Sequence, residues 1–455
     1  MRKLNEICSC ESKANSETEF VGIRCEKSKE NEPLKTSIIF PLGYFKDDDA
    51  LRELPEEELR ECVVNLFTVL SDPSLQEQIH QDSSISTIAE ERGETAFPMV
   101  SYLNVIRSFL DFGYLDEKEI LYKKGANGKI NWGRTIKTEK PVITEDEQNL
   151  VYLDFIARKV NYNEDTLITQ VHKFCVHDAL TKLGFLFGVE PSEEPLLDFD
   201  YDLFCNAINS KLAKTYNDRD LHLLADLARI VEYLAGHKTE DGKTANEYYF
   251  GVKKFALVWE KMVDQIFGTV ADKSKFNPSL KFVEERDEKP DGETLDNDGD
   301  TNESLRSTLR PDTIMVHGED TFVLDSKYYK YGMTGEKSHL PGAESVCKQM
   351  AYAEYVETHL KEIPAFAGMT SHGVYNAFVM PCCAADVNRL FPNAKFAENS
   401  IYSMCRVGYI YGDWKDCQKP YHKIHCILLD MKSVMQNYAN SKTSQDVLAR
   451  LIRDP

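Results

Sequence analysis

Two acidic residues held opposite each other on a hairpin constrain this chain more than any other feature. Residues 313–316 and 321–324 are short apolar runs that flank His317, Gly318, Glu319 and Asp320, a tight-turn connection. With Val316 facing Thr321, paired residue numbers keep a constant sum, so Ile314 faces Val323 and Asp312 faces Asp325. Side chains alternate faces along a strand, which sends Asp312, Asp325 and Lys327 to one side. Like charges directly across a ladder destabilise it. A sequence that keeps them there has a cation to place between them.

That trio suits metal-assisted phosphodiester cleavage. Carboxylate oxygens hold Mg²⁺, which keeps several waters and binds phosphate. The ion neutralises charge developing on the phosphate and generates a nucleophile at neutral pH. A lysine two residues past the second carboxylate is placed to orient or deprotonate the attacking water and to touch the phosphate. An Asp-x-Lys triplet alone is commonplace and also fits a solvated hairpin. Here Pro311 precedes the strand, the register is right, and Tyr328, Tyr329, Lys330 and Tyr331 add an aromatic, basic stretch.

With 455 residues, two or three domains are expected. A formal net charge of -21 argues against generic nucleic-acid binding over the whole surface but leaves room for a local basic groove. The twelve cysteines show no regular framework. No signal core opens the chain, and no run reaches membrane-spanning length, so the expectation is a cytoplasmic, thiol-reduced protein without a membrane partner. Cys8, Cys10 and Cys25, the group His172, Cys175 and His177, and the group His422, His425 and Cys426 all lack zinc-ligand spacing and read as core or surface residues.

The pattern along the chain predicts an α/β (α+β) protein in four parts: a polar, irregular tail (1–34), an N-terminal mixed domain (35–160), a helical region (161–247) and a C-terminal α/β domain (248–455). Helical spacing covers 51–70, 97–112, much of 203–234, 248–267 and 345–359. Between 120 and 136, two strand-like runs around a Gly125 to Gly128 turn suggest a wing after two helices. It carries Lys123, Lys124, Lys129, Arg134 and Lys137, a basic cluster in an acidic chain, readable as a solvated hairpin, a DNA-backbone contact or a docking face for an acidic partner. Residues 236–244 resemble a phosphate-binding loop only at a glance, since the glycines are misspaced and a helix precedes them; no nucleotide is expected on this chain. The acidic run 284–303, within a loop expected over 284–308, cannot bury a core.

Arg310, Pro311 and Asp312 followed by Asp325, Ser326 and Lys327 resemble the PD-(D/E)XK nuclease signature. Together with residues 128–136, Val258 to Glu260 and Arg310 to Thr313, the chain from about 38 onward resembles the LlaJI family of restriction endonucleases, and more loosely McrC, the nuclease subunit of McrBC. The resemblance implies a PD-(D/E)XK mixed sheet flanked by helices and a Mg²⁺-dependent nuclease, with Mn²⁺ able to substitute. It implies Asp312 and Asp325 as metal ligands, the Ser326 carbonyl as a further one, Lys327 acting on water or phosphate, and Glu260 from the preceding helix. Gln349 and Tyr352 resemble a supporting Gln/Tyr helix, although one residue closer in spacing than the branch that uses it. The implied substrate is double-stranded DNA, cut in a restriction, phage-defence system. The implied partner is a separate McrB-like AAA+ GTPase, docked through the basic hairpin around Lys129 and Arg134. A self-sufficient type II endonuclease and a non-catalytic activator of the motor are the competing readings.

Overall fold

The computed structural model describes residues 4, 8–12, 20–27, 34–75, 97–115, 117–125, 127–143, 150–163, 166–191, 194–237, 247–283, 303–359, 373–439 and 444–453. The chain divides into two compact units, one of residues 1–2 and 92–248, the other of residues 3–91 and 249–455. Residues 35–91 thus group with the C-terminal region and 92–160 with the helical region, whereas composition and pattern suggest cuts at 160 and 247. The acidic run over 284–302 and residues 238–246 lie outside the described residues.

The larger unit is built on a mixed five-stranded sheet in the order Thr313–His317, Asp320–Ser326, Val374–Cys382, Ile424–Asp430, Met404–Ile410. The first pair is antiparallel, the next two pairings are parallel and the last is antiparallel. The inner strands are buried on both faces, which is why 374–382 and 424–430 read as near-continuous apolar runs. The helix Phe255–Phe267 packs on the first two strands with Phe255, Val258, Trp259, Met262, Val263 and Ile266 buried at i, i+3, i+4 spacing. Each such large side chain contributes about 2–3 kcal/mol on full burial. The helix Ala343–His359 packs on the same sheet through Tyr352, Ala353 and Val356, which join Ile314, Val323 and Val374 in one core.

Several elements depart from the sequence pattern. The stretch expected to be an irregular tail contains strands Cys8–Ser12 and Val21–Glu26, which flank Lys35–Phe40 in a four-stranded sheet completed by Tyr248–Val252. Val21, Ile23 and Cys25 alternate inward, a period too short to stand out in polar surroundings. Tyr248–Val252 is therefore a strand rather than the start of the next helix, its aromatic residues favouring the pleated sheet. A Cβ on Gly22 (φ 142°) would meet the Phe250 carbonyl oxygen at 2.2 Å, so only glycine allows this approach. The pattern over 51–70 resolves into helices Asp48–Arg52 and Glu56–Leu70 with Pro55 between them. The last residues of the expected acidic loop form Glu303–Thr308, antiparallel to Ser279–Val283.

In the smaller unit, helices Met99–Phe112, Leu167–Phe187, Tyr201–Leu212 and Asp218–Gly236 pack together. Thr166, Asp200 and Asn217 each accept a backbone N–H at a helix start. Several buried polar groups inside are paired: Tyr102 donates to Asp178 (2.7 Å), which also pairs with Lys182, and Ser101 donates to Asp226 (2.8 Å). A three-stranded sheet joins Glu117–Lys124 and Lys129–Ile130 to either side of Ile156–Asn163. The expected wing is thus corrected in its second run: the first run lies in the strand Glu117–Lys124, but of the second only Lys129–Ile130 is strand, and Asn131 caps a helix, Trp132–Thr138, by accepting the Arg134 N–H at 3.0 Å. A short strand, Leu150–Val151, pairs with Val142–Ile143, and the long strand begins at Ile156. Among the described residues, no helix is long and apolar enough to cross a membrane.

Candidate active site

The hairpin adopts the register that alternation requires. Thr313 pairs with Leu324, Ile314 with Val323 and His317 with Asp320, and Gly318 takes φ 63° in the turn. Extending the ladder by one residue sets Asp312 opposite Asp325. Asp325 is buried, Asp312 half-buried. Burial, the neighbouring Asp325 and then Glu260 push the Asp312 carboxyl well above the usual carboxylate range, and the two aspartates hydrogen-bond each other. The Ser326 N–H donates to Asp312 Oδ2 at 2.8 Å and favours the ionised form, but the raising effects win.

Lys327 Nζ lies 2.8 Å from Asp325 Oδ2. Burial alone would depress the lysine, yet the attraction of Asp325 and Asp312 outweighs it and raises Lys327, which is therefore an ammonium. Glu260, on the helix Phe255–Phe267, is close enough to Asp312 to shift its titration. Tyr352 comes from the helix packed on the same sheet face as the aspartates. Burial, then Asp325 and Asp312, raise its hydroxyl, which accepts the Arg310 N–H. Gln349, fully buried on the same helix, instead braces the sheet: its Nε2 donates to the Val323 carbonyl (2.9 Å) and to Asn376 Oδ1 (2.5 Å). The structure thus brings Asp312, Asp325, Lys327, Glu260 and Tyr352 together, with Ser326 behind them and Gln349 on the helix that bears Tyr352.

Sequence reasoning missed Lys273. Its ammonium binds Asp264 Oδ1 at 2.7 Å and also donates to the Asp312 backbone carbonyl. Asp264 stands one helical turn after Glu260, so Lys273 links the helix carrying Glu260 to the strand that follows Asp312. The i, i+4 acids were visible in the sequence, but the lysine had no signal. Glu344 was missed too; Lys348 first and then Lys327 hold its carboxyl below the usual range.

Among the described residues, no three His, Cys, Asp or Glu side chains already close on a common point that could hold a metal ion. Mg²⁺ does not require such a cage: one or two carboxylates plus water and phosphate suffice. A carboxylate pair with a charge surplus large enough to raise Asp312 is a donor set that fits a hard divalent cation.

In the smaller unit, Lys123, Lys124, Lys129, Arg134 and Lys137 are all exposed. The Arg134 guanidinium stacks 3.8 Å from the centre of the Tyr122 ring, and Lys124 is engaged by Glu139 (2.9 Å) and Asp154 (2.8 Å). The pairing also sets Arg158 opposite both Tyr122 and Lys129, an exposed cation that the sequence pattern did not single out.

A mixed α/β chain with a carboxylate–lysine site on the edge hairpin of its largest sheet is the class these features define. The family model described as LlaJI restriction endonuclease matches residues 39–408, and the chain belongs to that family. Component YdjA of the type II restriction enzyme BsuMI from Bacillus subtilis (strain 168) is 26% identical over 280 residues, 59% of this chain and 55% of that protein. The chain spans about half the length of this curated relative. A chain in the refined half-complex of Thermococcus gammatolerans McrB AAA+ hexamers with bound McrC is 12% identical with a TM-score of 0.31, covering 93% of this chain and 82% of the other.

Proposed function

We propose that this chain is the DNA-cutting subunit of a restriction system, a Mg²⁺-dependent endonuclease with a PD-(D/E)XK site acting on double-stranded DNA. The observation that carries the reading is the hairpin: two aspartates forced together across a ladder, one with its carboxyl pushed up, and an ammonium 2.8 Å from the other. Family membership supports nuclease chemistry. Asp312 and Asp325 would hold the metal, with the Ser326 carbonyl and Glu260 as further oxygen donors, and Mn²⁺ would replace Mg²⁺. When bound, the ion supplies Lewis-acid stabilisation of phosphate charge and a water of lowered pKa. The chain's own groups do the positioning. Asp312 is fixed by the Ser326 N–H, and Lys327, as an ammonium, is placed to neutralise a phosphate oxygen and orient the attacking water.

The proposal includes a partner, a separate AAA+ GTPase similar to McrB, as the family resemblance implies. The exposed cations Lys123, Lys129, Arg134 and Lys137 on a chain of net charge -21 support a docking role for that surface. The test is cleavage of plasmid and genomic DNA with Mg²⁺, with and without the neighbouring GTPase and GTP. Asp325→Ala is expected to abolish cutting while the chain stays folded by circular dichroism. Undiminished cutting by folded Asp325→Ala would refute the site, and cutting by the wild-type chain alone would remove the motor from the reading.

A further inference from the structure

The smaller unit carries two adjoining cavities that the carboxylate site does not use. One, of about 410 Å³, is lined by Ser108, Phe112, Lys211, Arg219 and Asp220 among others. The second, about 270 Å³, is lined by Asn206, Ser210, Lys211 and Lys214 on its polar side. Lys211 borders both, so the two meet at this side chain, at the C-terminal end of helix Tyr201–Leu212, one toward Arg219 and the other toward the start of helix Leu167–Phe187. Their charged lining is three cations to one acid, the reverse of a chain with 54 Lys and Arg against 75 Asp and Glu.

Part of this has an ordinary explanation. Lys211 and Lys214 sit at a helix C-terminus, where cations complement the dipole. Arg219, in the first turn of the next helix, is on the wrong end for that effect. Its guanidinium pairs with Asp220 at 2.9 Å and lies 4.5 Å from the centre of the Phe112 ring, which is 61% exposed. A large, exposed aromatic ring with a guanidinium over one face, at the mouth of a polar cleft, presents its remaining surface for stacking next to a positive charge. Hydroxyl and amide groups of Ser108, Ser210 and Asn206 add donors along the track.

We propose that these cavities form a track for a single strand of DNA, with Lys211, Lys214 and Arg219 on successive phosphates and Phe112 under a base. Cations that follow a backbone together with an aromatic platform are the recurrent solution for single strands. The choice of DNA rests on the nuclease reading above; the track itself rests on the cavities and their lining. It gives an acidic chain a local hold on a strand at a place distinct from the carboxylates.

The experiment is fluorescence anisotropy with a labelled oligonucleotide of about 12 nucleotides, and with a duplex of the same sequence, in EDTA so that nothing is cut. The full chain is compared with the Lys211→Ala, Lys214→Ala, Arg219→Ala triple variant, with Phe112→Ala, and with Asp325→Ala. Removing three phosphate contacts should weaken single-strand binding at least tenfold and flatten the slope of log affinity against log salt by about 2. Phe112→Ala should weaken binding and leave that slope unchanged. A triple variant exchanging each lysine for arginine and Arg219 for lysine should bind as wild type, which separates charge from folding. Asp325→Ala is read for cutting in Mg²⁺ as well, which tests the nuclease reading separately from strand binding, so that loss of that reading and loss of the track are distinguishable. Unchanged affinity and slope in the alanine triple variant would overturn the proposal. So would a loss confined to the duplex, or equal competition by polyglutamate, which would make the patch a site for acidic protein.

Discussion

Replacing Lys327 by methionine keeps the side chain's length and removes its charge. The ammonium is 2.8 Å from Asp325 Oδ2, with Lys327 about one-fifth exposed and Asp325 buried. At an effective dielectric of about 20 the bare attraction at that distance is roughly 6 kcal/mol, an upper bound. Desolvation of both groups offsets most of it, and a charged hydrogen bond of this kind leaves a net of about 2 kcal/mol. Without metal, the variant therefore keeps two adjacent carboxylates and no cation, and should melt about 4–8 °C below wild type. Magnesium should narrow that gap. The methionine variant has no internal ammonium competing for Asp325, so Mg²⁺ should stabilise it more than it stabilises wild type; the variant's own gain is about 1.4 kcal/mol if 10 mM ion is roughly tenfold above its dissociation constant. Cleavage should nevertheless be lost. Differential scanning calorimetry in EDTA and in Mg²⁺, paired with plasmid cleavage, reads all three. A variant that melts like wild type in EDTA and gains no more from Mg²⁺ would show that Lys327 is not the charge balance of this site.

His172 is buried, accepts the Leu115 N–H through Nδ1 at 2.9 Å, and is held by burial near pKa 4 against an ordinary 6.5. Its folded pKa is depressed, so stability is complete above about pH 6.5 and is lost as pH falls toward 4, by about 3 kcal/mol in all. Urea unfolding of the smaller unit between pH 7 and 4 should show that loss, and His172→Asn should flatten it. Gln349→Leu strands the Val323 carbonyl and Asn376 Oδ1 in the core. It should cost about 2–3 kcal/mol, read as a lower urea midpoint. Lys273→Met should leave the fold standing yet raise the Mg²⁺ concentration for half-maximal cleavage several-fold, with Lys273→Arg restoring it; an unchanged Mg²⁺ requirement would reduce Lys273 to a surface ion pair.

The hairpin was legible because strand alternation has a period of two and Gly318 marks the turn, so a register slip of one residue would have turned Ile314 and Val323 out of the core. The apolar faces of Phe255–Phe267 and Ala343–His359 were legible for the matching reason at a period near 3.6. Other features needed three-dimensional information. Cys8–Ser12 is a strand because Lys35–Phe40 offers it a parallel partner, and nothing local in its composition demands that. Asn131 is a helix cap only if the chain turns there; the same residues fit a strand on pattern alone. Arg158 and Lys273 are ordinary surface cations in sequence. Their relevance comes from pairing across a sheet in one case and from reaching a carbonyl 39 residues further along the chain, at Asp312, in the other.

Why the aspartate pair sits on an edge hairpin follows from backbone accounting. Thr313–His317 is the last strand of its sheet, so one side of its backbone has no neighbouring strand. The segment after Phe255–Phe267 fills that side without forming a strand: Thr269 donates its N–H to the Ile314 carbonyl at 3.0 Å, its hydroxyl oxygen accepts the Val316 N–H at 2.7 Å, and Lys273 reaches the Asp312 carbonyl. Edge groups that would otherwise invite another chain are thereby satisfied. The same three contacts tie the helix bearing Glu260 to the strand beside Asp312. A sixth strand would have satisfied the edge equally well but would have put another strand beside the carboxylate pair. A strap anchored by one threonine and one lysine closes the ladder without one.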